Sequence, residues 1–125
     1  MPLGTAFLGC HEAGINPNYK ETLLNTTHDE TTLTRVFSGK MARCINNKFI
    51  ERMQLYQDAV LDYPIQNALT RSMRKDAETK GDVDFMSLWA GQSAHLSRAY
   101  CAAELIKTLT DEVHLCVKQN ISLNH

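Results

Sequence analysis

The chain opens on an apolar run. Leu3, Ala6, Phe7 and Leu8 stand together with Gly4 inside the run and Gly9 after it, a pattern that predicts a buried parallel strand covered on both faces. Such a strand needs neighbours for its backbone donors, and no comparable parallel partner follows downstream. After Gly14 the period turns helical. Asn16 suits an N-cap with Pro17 at the first helical position, and Tyr19, Leu23 and Leu24 supply an apolar side. Thr31 to Phe37 reads as β, with Leu33, Arg35 and Phe37 on one face and Thr34 and Val36 on the other. Ser38-Gly39 predicts a turn and Lys40 to Cys44 a short return strand.

From Asn46 to Tyr56, Phe49, Ile50, Met53 and Tyr56 recur at helical spacing. Asp62-Tyr63-Pro64 starts another helix, with Ile65, Ala68, Leu69 and Met73 as its expected buried stripe and Gly81 as its stop. The final helix has the clearest pattern. Leu105, Ile106, Leu109, Val113 and Cys116 form a continuous apolar face, with Glu104, Lys107, Asp111, Glu112 and Lys118 outside. Its start is poorly capped at Cys101 and Ala102, and Gln119 to His125 are polar and expected to fray. The chain therefore reads as mainly α (α+β) with a few short strands. Residues 1–15 form a strand and loop, 16–118 a mainly helical part and 119–125 a tail.

Composition narrows the function classes. The 125 residues are 43% hydrophobic and 22% charged, and 13 basic against 14 acidic side chains leave a formal net charge of -1. A balance that even gives no electrostatic footprint for nucleic acid or an anionic membrane. No apolar run approaches a membrane span, and no signal peptide is legible, so a cytoplasmic location is expected. Cys10, Cys44, Cys101 and Cys116 show no CxxC pair, which predicts reduced thiols acting as small hydrophobes, with no structural zinc and no disulfide framework.

Five strings carry more than generic information: Gly4-Thr5-Ala6-Phe7-Leu8, Asn16-Pro17-Asn18-Tyr19-Lys20, Thr32-Leu33-Thr34-Arg35-Val36-Phe37-Ser38-Gly39, Tyr63-Pro64-Ile65-Gln66-Asn67 and Leu88-Trp89-Ala90-Gly91-Gln92. In this order they resemble the C-terminal end of the nitronate monooxygenases, formerly called 2-nitropropane dioxygenases. The resemblance runs from about Leu3 to the last helix and covers only the final third or so of the family's length. It implies an FMN-dependent TIM barrel with an added helical domain, which oxidises alkyl nitronates such as propionate 3-nitronate with molecular oxygen. This segment then corresponds to the last barrel strand followed by the helical part, an incomplete barrel.

By the same resemblance, Leu3, Gly4 and Thr5 fall at the FMN phosphate. TIM-barrel phosphate sites lie after strands seven and eight, and glycine lets the backbone approach a phosphate closely. The family's catalytic histidine, its earlier glycine-rich contacts and the strands that hold the flavin ring correspond to positions before Met1. Pro2 stands where the family commonly carries glutamine. No catalytic residue and no metal ligand is assigned within this chain. A whole barrel takes about 250 residues, so the chain reads as the C-terminal fragment of the enzyme. The alternative is a non-catalytic helical remnant, or a subunit that needs a separately encoded barrel portion.

The remaining chemistry-bearing residues keep two roles open. Trp89 to Gln92 fit either a site lining or a domain-interface plug, and Tyr63 and Gln66 either a flavin-facing or a capping role. Tyr19 is expected to pack and Lys20 to be solvated. His11, in the loop leaving the first element, has no identifiable orienting partner for a catalytic role. His28, His95, His114 and His125 show no paired ligand spacing.

Overall fold

The computed structural model describes residues 3–123. About 55% of it is helical, and its one sheet among the described residues has two strands. The elements run α1 (Leu3–Leu8), α2 (Pro17–Leu24), β1 (Thr31–Thr34), β2 (Ala42–Ile45), α3 (Lys48–Met53), α4 (Ile65–Lys80) and α5 (Ala102–Leu123), with short 3-10 turns at Gln54–Ala59 and Ala94–Leu96.

The opening segment corrects the sequence expectation: Leu3–Leu8 is helical, not a strand. Among the described residues no strand lies beside it, and the segment satisfies its donors internally, as a helix does. Helical spacing then directs Ala6 and Cys10 together onto Leu105 of α5, with Phe7, Tyr100 and Leu109 around them.

The next helix forms as its sequence predicts. The Asn16 side chain accepts from the Asn18 amide at 2.9 Å, with Pro17 in the first turn. The β1–β2 hairpin is antiparallel and pairs Thr31 with Ile45 through Thr34 with Ala42. The first strand ends at Thr34 rather than continuing to Phe37, so Val36 and Phe37 are not split between two faces. Both are buried in the turn beyond it. Gly39 closes this turn with φ +88°, and its N–H donates to the Arg35 carbonyl at 2.8 Å.

Helix α4 explains how two polar side chains displace an apolar stripe. Ile65 and Leu69, expected inside, are 60% and 67% exposed, and Ala68 is exposed as well, while Met73 of the same expected stripe is half-buried against the core of Val36 and Phe37. Gln66 and Thr70 face inward instead. The Gln66 amide donates to the Val36 carbonyl at 2.7 Å and accepts from the Leu61 N–H at 3.1 Å, while the Thr70 hydroxyl donates to the Phe37 carbonyl at 2.5 Å. A buried turn leaves carbonyls that need donors, and these two residues supply them. Gly81 ends the helix in the left-handed conformation at φ +70°, as expected.

Two larger cores flank the hairpin. Leu23, Ile45, Ala77, Met86, Leu88 and Ala94 fill one, and Val36, Phe37, Cys44 and Ile50 the other, with Trp89 packed against it. Helix α5 runs unbroken to Leu123, so residues 119–123 are helical rather than frayed, and the last two residues lie outside the described range. Its apolar face has the expected pattern but is not covered. Leu105 is buried and Leu109 half-buried, whereas Ile106 is 55% and Val113 59% exposed.

Candidate functional site

Three of the five strings meet at one place. Residues Leu88 to Ala90 lie along the free edge of β2: the Ile45 N–H donates to the Leu88 carbonyl at 2.9 Å and the Ala90 N–H to the Arg43 carbonyl at 3.3 Å. This fixes the backbone of Trp89 and Gly91. The Tyr19 hydroxyl of α2 donates to the Trp89 carbonyl, and the buried Thr5 hydroxyl of α1 accepts from the Gly91 N–H at 2.9 Å. Residues far apart in sequence are thereby joined through main-chain groups of a single short segment.

Lys20 departs from its expected solvated role. Its ammonium donates to the carbonyls of Cys10 at 2.8 Å and Ala13 at 3.1 Å, which holds the loop leaving α1. An ammonium has three donors, and a curved loop that turns carbonyls inward suits it. The only sequence signal for this is that Lys20 follows Tyr19 on a helix starting a few residues after the loop.

The three residues implied at a phosphate differ in what they offer. Gly4 is exposed, and a Cβ added there would meet nothing within 4 Å. It borders a depression of about 400 Å³ with Phe7, Leu8, Cys10, Glu12 and Ala102. Leu3 is 60% exposed and lines a different, apolar groove against α5. Thr5 points inward to Gly91. Gly4 is therefore accessible, while the Thr5 side chain is committed to holding the fold.

Burial governs the other titratable groups nearby. Desolvation pushes the Tyr19 hydroxyl up to about 12 and the Cys44 thiol up to about 12. Cys10 is also raised, first by desolvation and then by the nearby Glu12 carboxylate. A thiol held neutral in this way is not a nucleophile at ordinary pH, and both Cys10 and Cys44 act as packing groups. Cys116, by contrast, is exposed. The His11 side chain is exposed, and His28 and His95, distant in sequence, stack edge-on with centroids 5.0 Å apart.

A second cleft, of about 380 Å³, lies between Tyr19 and α4, with Arg71, Arg74 and Lys75 on its wall beside Glu78. The Arg74 guanidinium is tied back along its own helix to the Asn67 carbonyl, the Asn67 side chain and the Thr70 hydroxyl. Sequence reasoning did not single it out, although basic residues at three- and four-residue spacing on a helix were the available signal.

The family model described as nitronate monooxygenase matches residues 1–112. The probable nitronate monooxygenases of Staphylococcus aureus strains Newman and USA300 are each 38% identical over 114 residues, covering 91% of this chain and 32% of their own length. Among solved structures, nitroalkane oxidase from Streptomyces ansochromogenes superposes with a TM-score of 0.83 at 35% identity, over 92% of this chain and 33% of that one. FabK from Thermotoga maritima shares the fold, with a TM-score of 0.75 at 23% identity over 94% of this chain and 38% of its own. The chain thus spans about a third of the length of the relatives it matches. It belongs to the nitronate monooxygenase family and corresponds to the C-terminal part of it.

Proposed function

We propose that this chain is the C-terminal part of an FMN-dependent nitronate monooxygenase that oxidises alkyl nitronates, such as propionate 3-nitronate, with molecular oxygen. The observation that carries the reading is the junction of Thr5, Tyr19 and the Trp89–Gly91 segment, in which three family strings meet through hydrogen bonds from the Thr5 and Tyr19 hydroxyls to the main chain of that segment. Bound FMN would supply the redox chemistry between nitronate and oxygen. In this reading Gly4 and the backbone of Leu3 and Thr5 hold its phosphate. The Thr5 hydroxyl acts at one remove, by fixing α1 to Gly91.

The contribution of this chain is binding and orientation. Flavin needs contacts at both phosphate and ring, and the depression beside Gly4 serves only the phosphate end. Proton abstraction needs a base within hydrogen-bond reach of the substrate carbon, and the family resemblance puts that base in the portion of the fold outside these residues.

The test is a fusion in which the preceding two thirds of the S. aureus relative leads into Leu3. The expected result is retained flavin and nitronate-dependent oxygen uptake, with Gly4→Val losing flavin while keeping its helicity. A folded fusion whose flavin content is unaffected by Gly4→Val would remove the phosphate assignment.

A further inference from the structure

Helix α4 gathers positive charge at a cleft. Arg71, Arg74 and Lys75 stand at three- and four-residue spacing on one side of the helix, and all three line the cleft of about 380 Å³ beside Tyr19. None of the three is ion-paired among the described residues, whose salt bridges all lie elsewhere. Glu78 is the one carboxylate on the lining, within a turn of Arg74 and Lys75, and it pairs with neither. Three cations against one anion leave a surplus of two positive charges. The crowding is felt at Arg74, whose guanidinium is held below the usual arginine value first by desolvation and then by the Arg71 charge. Like charges gathered without a partner raise the free energy of the cleft, and an anion relieves it.

The walls of this cleft are tied in place. The Asn16 side chain donates to the Glu78 carbonyl at 2.8 Å and the Asn18 side chain to the Gly81 carbonyl at 2.8 Å, which joins the start of α2 to the end of α4. A guanidinium has five N–H donors. In Arg74, Nε and Nη2 use three of them on Thr70 and Asn67, and the two of Nη1 are left over. A side chain pinned in this way loses little freedom when it takes a ligand. We propose that the cleft binds a compact dianionic oxyanion, the phosphate group of a small phosphomonoester or inorganic phosphate itself. Arginine forks match phosphate geometry, and Lys75 adds a point charge. The surplus of two charges matches a phosphomonoester, which carries about -1.5 to -2 at neutral pH. Ser87 adds a hydroxyl to the lining, while Ile15, Met86 and the Tyr19 ring suit a short carbon body. The cleft meets the depression beside Gly4 only at Gly14 and Ile15, so the inference goes beyond the flavin reading and does not rest on it.

The test titrates the 125-residue chain with inorganic phosphate, glycerol 3-phosphate, succinate and FMN, at an ionic strength held constant with sodium chloride. Binding is read by calorimetry and by the arginine Nε–H resonances in NMR spectra. Phosphate and glycerol 3-phosphate are expected to shift the Arg71 and Arg74 signals saturably. Arg71→Gln with Lys75→Gln should weaken that binding about tenfold or more at unchanged helicity, since both side chains are exposed. Glu78→Gln removes the opposing charge and should tighten binding about threefold. Tighter binding of glycerol 3-phosphate than of phosphate identifies the ester as the ligand, and equal binding identifies the free anion. Shifts no larger than chloride alone produces, indifference to the double substitution, or weaker binding by Glu78→Gln would overturn the proposal. So would succinate binding as tightly as phosphate, because the site would not select a phosphate group. FMN competing with phosphate for the two arginines would also overturn it, because the cleft would then belong to the cofactor.

Discussion

At the scale of single residues, the fold depends on a few positions where backbone geometry leaves no alternative. Gly39 has φ +88°, and a Cβ there would lie 2.4 Å from the Tyr63 nitrogen and 2.7 Å from the Leu61 carbonyl oxygen. Neither contact belongs to a side chain that can swing away. Gly39→Ala is therefore expected to cost at least about 2 kcal/mol, read as a lower urea midpoint at unchanged slope. The buried hydroxyl and thiol set a pH limit. Tyr19 rises from an ordinary 10.0 to about 12, and Cys44 from 9.0 to about 12, both chiefly by desolvation. The folded state then holds these protons while the unfolded chain releases them, so stability is full below the unfolded values and falls as pH climbs from about 9 to about 12. Thermal midpoints across that range should drop, and Tyr19→Phe should flatten the part of the drop that begins near 10. A midpoint flat to pH 11 would contradict the burial of both groups.

Helix α4 is the element most worth perturbing, because periodicity and structure disagree there. Gln66→Leu strips donors and an acceptor from the Val36 and Leu61 main chain and is expected to cost about 2–4 kcal/mol in denaturant unfolding. Leu69→Gln, at a position that is 67% exposed, should stay within about 0.5 kcal/mol in the 125-residue chain. The reverse ranking would restore the apolar stripe. Elements governed by local chemistry were legible in the sequence: the Asn16 cap, Pro17 and the Gly81 stop formed where residue type predicts, and the hairpin formed with its first strand ending at Thr34 instead of Phe37. What escaped the sequence depended on partners distant along the chain. An apolar run such as Leu3–Leu8 suits a strand or a helix equally, and its contacts with Leu105 and Leu109, about a hundred residues later, suit the helix it forms. The inward turn of Gln66 and Thr70 follows from carbonyls some thirty residues earlier, which no window on α4 contains. Of the candidate site, Gly4 kept an accessible position, whereas Thr5 turned inward to a Gly91 N–H eighty-six residues away.

For the whole molecule, the chain has its own cores and a junction built from family strings, together with one long apolar face left open. That combination suits the C-terminal part of a larger family fold. The most direct test is the absorption spectrum of the purified 125-residue chain after incubation with FMN and desalting, followed by oxygen uptake with propionate 3-nitronate. The account predicts a colourless protein with no uptake beyond that of free flavin, and a yellow, active one once the preceding two thirds of a relative is fused ahead of Leu3. A yellow 125-residue chain with turnover above free flavin would contradict it, and would move the search for the base to His11 in the loop after α1.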